Sequence, residues 1–152
     1  MKKFIYDISI PRGIFSGQVL KIKGKGNVGI NGGENGDLVI NIQVKQKKGF
    51  VRTGQDVVYY MTISFPQAVL GAVINVPTAY GTVNCEIPAG IKPGEQLCLA
   101  GKGVIDEETG EVGCQYVNIT IDIPKIEKTE DIEILLRQVQ DKLYDKPVNA
   151  NI

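Results

Sequence analysis

Three cysteines, Cys85, Cys98 and Cys114, are the side chains of this sequence best suited to bind a metal or attack a substrate. They stand too far apart to form a C-x-x-C pair of the kind that holds zinc or exchanges disulfides. An odd number of thiols, behind an N-terminus (MKKFIYDISIP) without the apolar core of a signal peptide, reads as reduced, small core or half-buried residues in a cytoplasmic chain. There is no histidine, which removes Ser-His-Asp and Cys-His catalysis, His-ligated metals and imidazole pH switching. The three serines, Ser9, Ser16 and Ser64, lie in no GxSxG turn. GKGNVG (residues 24–29) matches a phosphate-binding pattern, but a phosphate site needs a helix opening directly behind it. INGGENGD follows instead, too rich in glycine to hold one. Neither an enzyme nor a metal or cofactor site is expected.

Composition points the same way. Lys+Arg and Asp+Glu both number 17 in 152 residues, so no electrostatic drive toward nucleic acid is expected. No apolar run approaches the roughly 20 residues that span a bilayer, so no membrane partner is expected. Ile and Val together number 36 against 8 Leu and 6 Ala, which favours pleated strands over helix. Eighteen glycines and seven prolines cut the chain into short segments.

Alternation of apolar and polar residues predicts strands over residues 4–10, 20–22, 38–44, 57–64, 72–76, 82–87 and 116–123. SFPQAVLG (residues 64–71) breaks the period and reads as one short helical turn, with a loop or bulge as the alternative. After Pro124 the character changes. Thr129 can cap a helix whose first turn carries Glu130, Asp131 and Glu133, and Ile132, Leu135, Leu136, Val139 and Leu143 then share one face. Pro147 should stop it.

The chain also matches itself at one fixed offset, with Ile10 falling on Ile87. IPRGIFSGQVLKIKGKG (residues 10–26) lies over IPAGIKPGEQLCLAGKG (residues 87–103), and the match runs on without a gap to Asn41-Ile42 over Asn118-Ile119. Six of the identical positions are glycine, so what repeats is turn geometry: two copies of one β-module. The counterparts of residues 57–77, which lead into the second copy, would precede residue 1. The first module is therefore expected to lack its opening hairpin and to carry an exposed edge, in a chain read as a piece cut from a longer protein, with a naturally short first module as the alternative.

The motifs IPAGIKPGEQLCLAGKG, GENGDLVINIQVKQKKGFVRTGQDV and ISFPQAVLGAVINVPTAYGTV, in that family's order, resemble the C-terminal substrate-binding and dimerisation region of DnaJ-type co-chaperones, the 40-kDa heat-shock family. The resemblance covers roughly residues 3–145. It departs from the family at Lys47-Lys48-Gly49, where a His-Pro often stands before the Phe, and at Gly113-Cys114-Gln115, where a second GDL is usual. It implies an all-β fold of two tandem β-sandwich-like modules, the first truncated, with a C-terminal amphipathic helix. The corresponding divisions are 1–49 (partial first β-domain), 50–125 (second β-domain), 126–146 (helical dimerisation segment) and 147–152 (disordered tail).

The function implied is to bind unfolded or partly folded client polypeptides by β-augmentation and to homodimerise. The full-length protein would work with a DnaK-type chaperone, whose ATPase this chain alone could not stimulate without an HPD-containing J-domain. The implied peptide-binding residues are Ile8, Ile10 and Phe50, for which simple core packing is the competing reading. The implied dimerisation residues are Leu135, Leu136, Val139, Leu143 and Tyr144. The alternative is a structural dimerisation module with no peptide binding in this fragment. A carbohydrate-binding sandwich lacks its aromatic platform, there being no Trp.

Overall fold

The computed structural model describes residues 3–127 and 129–144. They fall into two compact units that divide between Asp122 and Ile123. The regular elements of the first unit are strands, apart from one 3-10 turn and one short helix. Antiparallel β1 (Val19–Ile22) and β2 (Leu38–Asn41) form a two-stranded ladder. A four-stranded sheet follows in the order β3 (Phe50–Thr53), β4 (Asp56–Ser64), β8 (Gln115–Asp122), β7 (Gln96–Leu99). Its central pair, β4 and β8, is parallel. A separate hairpin, β5 (Ala72–Thr78) and β6 (Gly81–Ile87), completes the strands.

Alternation decides what is buried. Ile63, Val117 and Ile119 from the large sheet meet Ile74, Val76, Cys85 and Ile87 from the hairpin, with Ala68 and Ile91 closing the core. Each fully buried aliphatic side chain is worth about 1.5–3 kcal/mol of transfer free energy. The expected helical turn is present as α1 (Phe65–Leu70). The Ser64 hydroxyl accepts from the Gln67 N–H at 3.3 Å and the Gln67 side chain accepts from the Ser64 N–H at 3.0 Å, a reciprocal cap. Two polar residues are buried as well, Thr78 and Gln115. Gln115 donates to the Pro77 carbonyl at 2.8 Å, while its side-chain oxygen has no partner.

The internal repeat of the sequence reappears in backbone geometry. Val19 pairs with Asn41 as Gln96 pairs with Asn118, and Ile22 with Leu38 as Leu99 with Gln115. The Gly17 N–H donates to the Ile42 carbonyl and the Gly94 N–H to the Ile119 carbonyl, both at 2.8 Å. Gly24 and Gly101 turn the chain at φ 73° and 70°, which a side chain would strain. Gly26 and Gly103 serve close approach instead: a Cβ on Gly103 would sit 2.6 Å from the Gln55 carbonyl oxygen and against the Gly113 carbonyl carbon.

Three expectations are corrected. Residues 4–10 alternate like a strand but pair with no other strand among the described residues, because alternation alone supplies no acceptors for backbone N–H groups. Phe4 stacks on Tyr6 at 6.4 Å, and Lys25 lies 5.3 Å from the Tyr6 ring. The strand expected over residues 38–44 stops at Asn41. Of the cysteines, Cys85 is buried and Cys114 half-buried as expected, but Cys98 is exposed, since β7 turns that side of its ladder to solvent.

The second unit contains α2 (Glu130–Leu143). Thr129 holds the N-cap position with extended backbone but makes no side-chain capping bond, so the start rests on the first-turn carboxylates Glu130, Asp131 and Glu133. Glu133 and Arg137 pair at 2.8 Å one turn apart. The stop expected at Pro147 and the tail 147–152 lie outside the described residues.

The close approach at Gly103 can be tested by filling it. Gly103→Ala should destabilise the second module by about 1–3 kcal/mol, the range of a forced overpacking, read as a lower urea midpoint. An unchanged midpoint would contradict the close approach. Asp37 accepts from the Gly24 N–H at 3.0 Å and pairs with Lys21 at 3.2 Å, and these two contacts hold its carboxyl below the ordinary aspartate value. A depressed folded pKa gives stability that is present above the unfolded value of about 3.9 and lost as pH falls through the folded one. Hydrogen exchange at Gly24 should therefore speed up, beyond its intrinsic pH dependence, only below about pH 4. Asp37→Asn should remove that acid-dependent step.

Candidate functional site: an apolar groove between the two modules

The loop preceding β1 crosses the second module at Gly13, where a side chain would collide with the Ile105 carbonyl. Arg52, from the middle of β3, fastens this crossing. Its guanidinium donates to the Ile14 carbonyl at 2.9 Å, the Gly13 carbonyl at 2.6 Å and the Gly54 carbonyl at 2.8 Å, and it lies 4.0 Å from the Phe15 ring centroid. Partial burial pulls the Arg52 pKa below its ordinary value, a desolvation offset by three carbonyl acceptors and an aromatic face.

Two depressions border this clamp. The smaller, about 300 Å³, runs from Pro11 and Arg12 to the acidic turn Asp106-Glu107-Glu108. The larger, about 510 Å³, is an open groove lined mainly by apolar surface. The first module contributes Phe15, Ser16, Val44, Lys45, Gln46 and Lys47; the second contributes Phe50, Arg52, Gly54, Val57, Ala79 and Val104. Phe50 is half-buried, tilted on Tyr59 at 4.8 Å between ring centroids, with the Lys47 ammonium 5.3 Å from its own ring. The groove thus presents apolar walls with lysines at its rim.

Of the sequence-predicted site residues, the groove takes in Phe50 alone. Ile8 and Ile10 lie outside it, exposed on the unpaired N-terminal segment. Leu135, Leu136, Val139, Leu143 and Tyr144 are all exposed on or directly after α2, whose residues are nowhere buried. Leu136 also borders a shallow depression with Ile126, Glu133, Arg137 and Gln140. Sequence reasoning missed Phe15, Val44, Arg52, Ala79 and Val104. One signal was available: Phe15 and Ser16 stand where the second copy has Lys92 and Pro93, so the two modules differ where the first lines the groove.

Burial pushes the Cys85 thiol up. Cys98 is pushed up by its contact with Cys114, then by burial and the nearby negative charges, Asp56 among them, so the thiol form is favoured. Among the described residues no group of Cys, Asp and Glu is placed to hold a metal ion, and no helix is long and apolar enough to cross a membrane.

Repeated β-modules flanking an open apolar groove, followed in the chain by a leucine-bearing helix, define a tandem β-module protein built around a surface groove. The family model of the DnaJ C terminal domain matches residues 1–124, and the chain belongs to that family. It is 42% identical over 125 residues to the "Chaperone protein DnaJ" of Acholeplasma laidlawii, covering 82% of this chain and 34% of that protein. The same-named protein of Clostridium novyi (strain NT) is 48% identical over 118 residues, covering 78% of this chain and 31% of its own length. That of Exiguobacterium sp. (strain ATCC BAA-1283 / AT1b) is 39% identical over 140 residues, with coverages of 92% and 38%. The chain spans about a third of the length of these curated relatives.

Replacing the clamp tests the groove's architecture. Arg52→Lys keeps the charge but cannot reach three carbonyls in one plane. It should cost about 1.5–3 kcal/mol, the range for hydrogen bonds to a charged group. Exchange should quicken at Gly17 and Ile42 while Val117 and Ile119 stay protected. Uniform loss across both modules would show that Arg52 supports the whole unit rather than the crossing.

Proposed function

We propose that this chain is a non-enzymatic polypeptide-binding and self-associating part of a DnaJ-type chaperone. The groove carries the peptide-binding half of this reading. An open trough of about 510 Å³ with Phe15, Val44, Phe50, Val57 and Val104 along it suits an extended apolar segment, whose side chains enter while its backbone stays near the polar rim. Lys45 and Lys47 add a preference for segments flanked by acidic residues. Ile8 and Ile10 remain proposed contributors, through the exposed N-terminal segment rather than the groove wall. Family membership supports a client that is an unfolded or partly folded polypeptide, met in the cytoplasm. In the whole protein, a DnaK-type chaperone would act on what this region holds.

The self-associating half rests on α2. A helix of this length is marginal alone in water and is normally stabilised by packing its apolar stripe. Within its own unit, Leu135 is 60% and Leu136 49% exposed. A second copy burying Leu135, Leu136, Val139, Leu143 and Tyr144 would supply that packing. Two weak grooves on one dimer would then gain affinity for a long client through effective concentration.

Titration of a fluorescent apolar peptide tests the groove. Phe50→Ala should weaken binding by more than about 1 kcal/mol, as for a buried anchor. It should lower stability by less than the roughly 3–5 kcal/mol of an emptied aromatic core site. Unchanged affinity with a large stability loss would make Phe50 a packing residue and sink the groove reading. Independently, Leu136→Asp should shift the sedimentation coefficient from dimer to monomer. A wild-type chain that is monomeric throughout would remove the second half and leave the groove intact.

A further inference from the structure

At the repeat's fixed offset, Lys21 falls on Cys98 and Asp37 on Cys114. The backbone keeps the two places equivalent: Lys21 stands opposite Val39 as Cys98 stands opposite Tyr116. Asp37 and Cys114 each lie two residues before that partner, directly ahead of β2 and β8, and residues two apart on an extended chain share a face. In the first module the pair is in side-chain contact, the Lys21 ammonium 3.2 Å from the Asp37 carboxylate. The second module puts two thiols where the first has an ion pair.

Those thiols meet as well. The Cys98 side chain is in hydrogen-bonding contact with that of Cys114, and the Tyr116 phenol beside them is pushed up by Asp56, Cys114 and Cys98 in turn. Cys114 is held from both sides of its backbone: its N–H donates to the Asp56 carboxylate at 2.8 Å and its carbonyl accepts from the Val57 N–H at 3.0 Å. Cys98 is exposed and Cys114 half-buried, so a small reagent reaches the first while the second stands next to it. Among the described residues no third ligating side chain joins them, which favours covalent chemistry between two thiols over the three or four donors of a metal site.

We infer that Cys98 and Cys114 form a reversible oxidation site, at which a low-molecular-weight disulfide converts the two neighbouring thiols into one intramolecular disulfide. Cys98 gives up its proton and attacks one sulfur of the reagent. A bond forms between Cys98 and that half of the reagent, the reagent's own S–S bond breaks, and the other half leaves as a thiolate that takes up a proton. Cys114, deprotonated in its turn, attacks the Cys98 sulfur, forms the Cys98–Cys114 bond and expels the second half as a thiol. Two protein thiols are oxidised, one disulfide is reduced to two thiols, and excess thiol runs the exchange backwards. The contact with Cys114 pushes the Cys98 thiol up and so slows the first attack, while proximity speeds the second. Neither cysteine lines the groove, and the site does not rest on it.

The test uses the full chain, fully reduced, in mixtures of oxidised and reduced glutathione, quenched with acid and mapped by mass spectrometry. One internal disulfide between Cys98 and Cys114 should form with the loss of two hydrogens, and dithiothreitol should reverse it. Cys85, buried in the core, should stay a free thiol throughout. Cys114→Ser should stop at a glutathione adduct on Cys98, whereas Cys98→Ser should lose the cross-link without a comparable adduct on Cys114. Should a serine variant fail to fold, Cys114→Asp, which installs the residue the first module carries there, makes the same test. Four results would overturn the inference: a glutathione adduct that persists on Cys98 in the wild-type chain, a cross-link between two chains as the main product, a disulfide that includes Cys85, or both thiols unmodified across the whole range of mixtures.

Discussion

The guanidinium of Arg52 holds together what the strands leave separate. β1 and β2 form their own two-stranded ladder and share no backbone pairing with the four-stranded sheet. Isolated two-stranded ladders are marginal in water. The first module is fastened to the second at the Gly13 crossing, where Arg52 reaches two consecutive carbonyls and the Phe15 ring at once. Only arginine offers planar, divergent donors together with a face for stacking. The groove exists because this contact is local. It brings Phe15 and Ser16 beside β3 while the walls formed by residues 44–47 and Val104 stand apart.

How a β-module meets its surroundings decides its burial more than its own sequence does. β1 and β7 show the same alternation of exposed and half-buried positions. β2 and β8 keep that period, but β8 is driven into a core by β4, α1 and the β5–β6 hairpin, and β2 is not. Ile40 and Val117 are near-equivalents in volume and occupy the same turn-defined place. Their different exposure measures what neighbouring strands contribute to the hydrophobic term, beyond anything intrinsic to the residue.

Much of this was legible in the chain. Period-two patterns mark the strands of the second module, Ser64 and Gln67 announce the cap of α1, and the internal repeat carries the pairing register of β1–β2 over to β7–β8. The unread parts share a cause: they depend on partners distant in sequence. Residues 4–10 carry a strand pattern without a strand to meet. Thr129 is a local exception, with the right type at the right place but no side-chain capping bond. Phe50 was found through its motif. Arg52 lies in the same motif, but its role depends on the Gly13 and Ile14 carbonyls, far earlier in the chain, which no local pattern reveals.

The absences in the composition set the kind of recognition available. Histidine is absent, so no imidazole is available for proton transfer, and the Cys85 and Cys98 thiols are shifted toward their protonated form. Without tryptophan, aromatic contact at the groove falls to Phe15 and Phe50, and cations already lie over both rings. A ring whose one face is occupied by Arg52 or Lys47 offers its remaining surface as apolar area rather than as a site for a second cation. On the function proposed above, recognition at the groove would rest on apolar area, peptide backbone and a basic rim. These are properties every extended polypeptide can meet in part, so discrimination among sequences must come from the placement of alternate apolar side chains and from charge at their flanks.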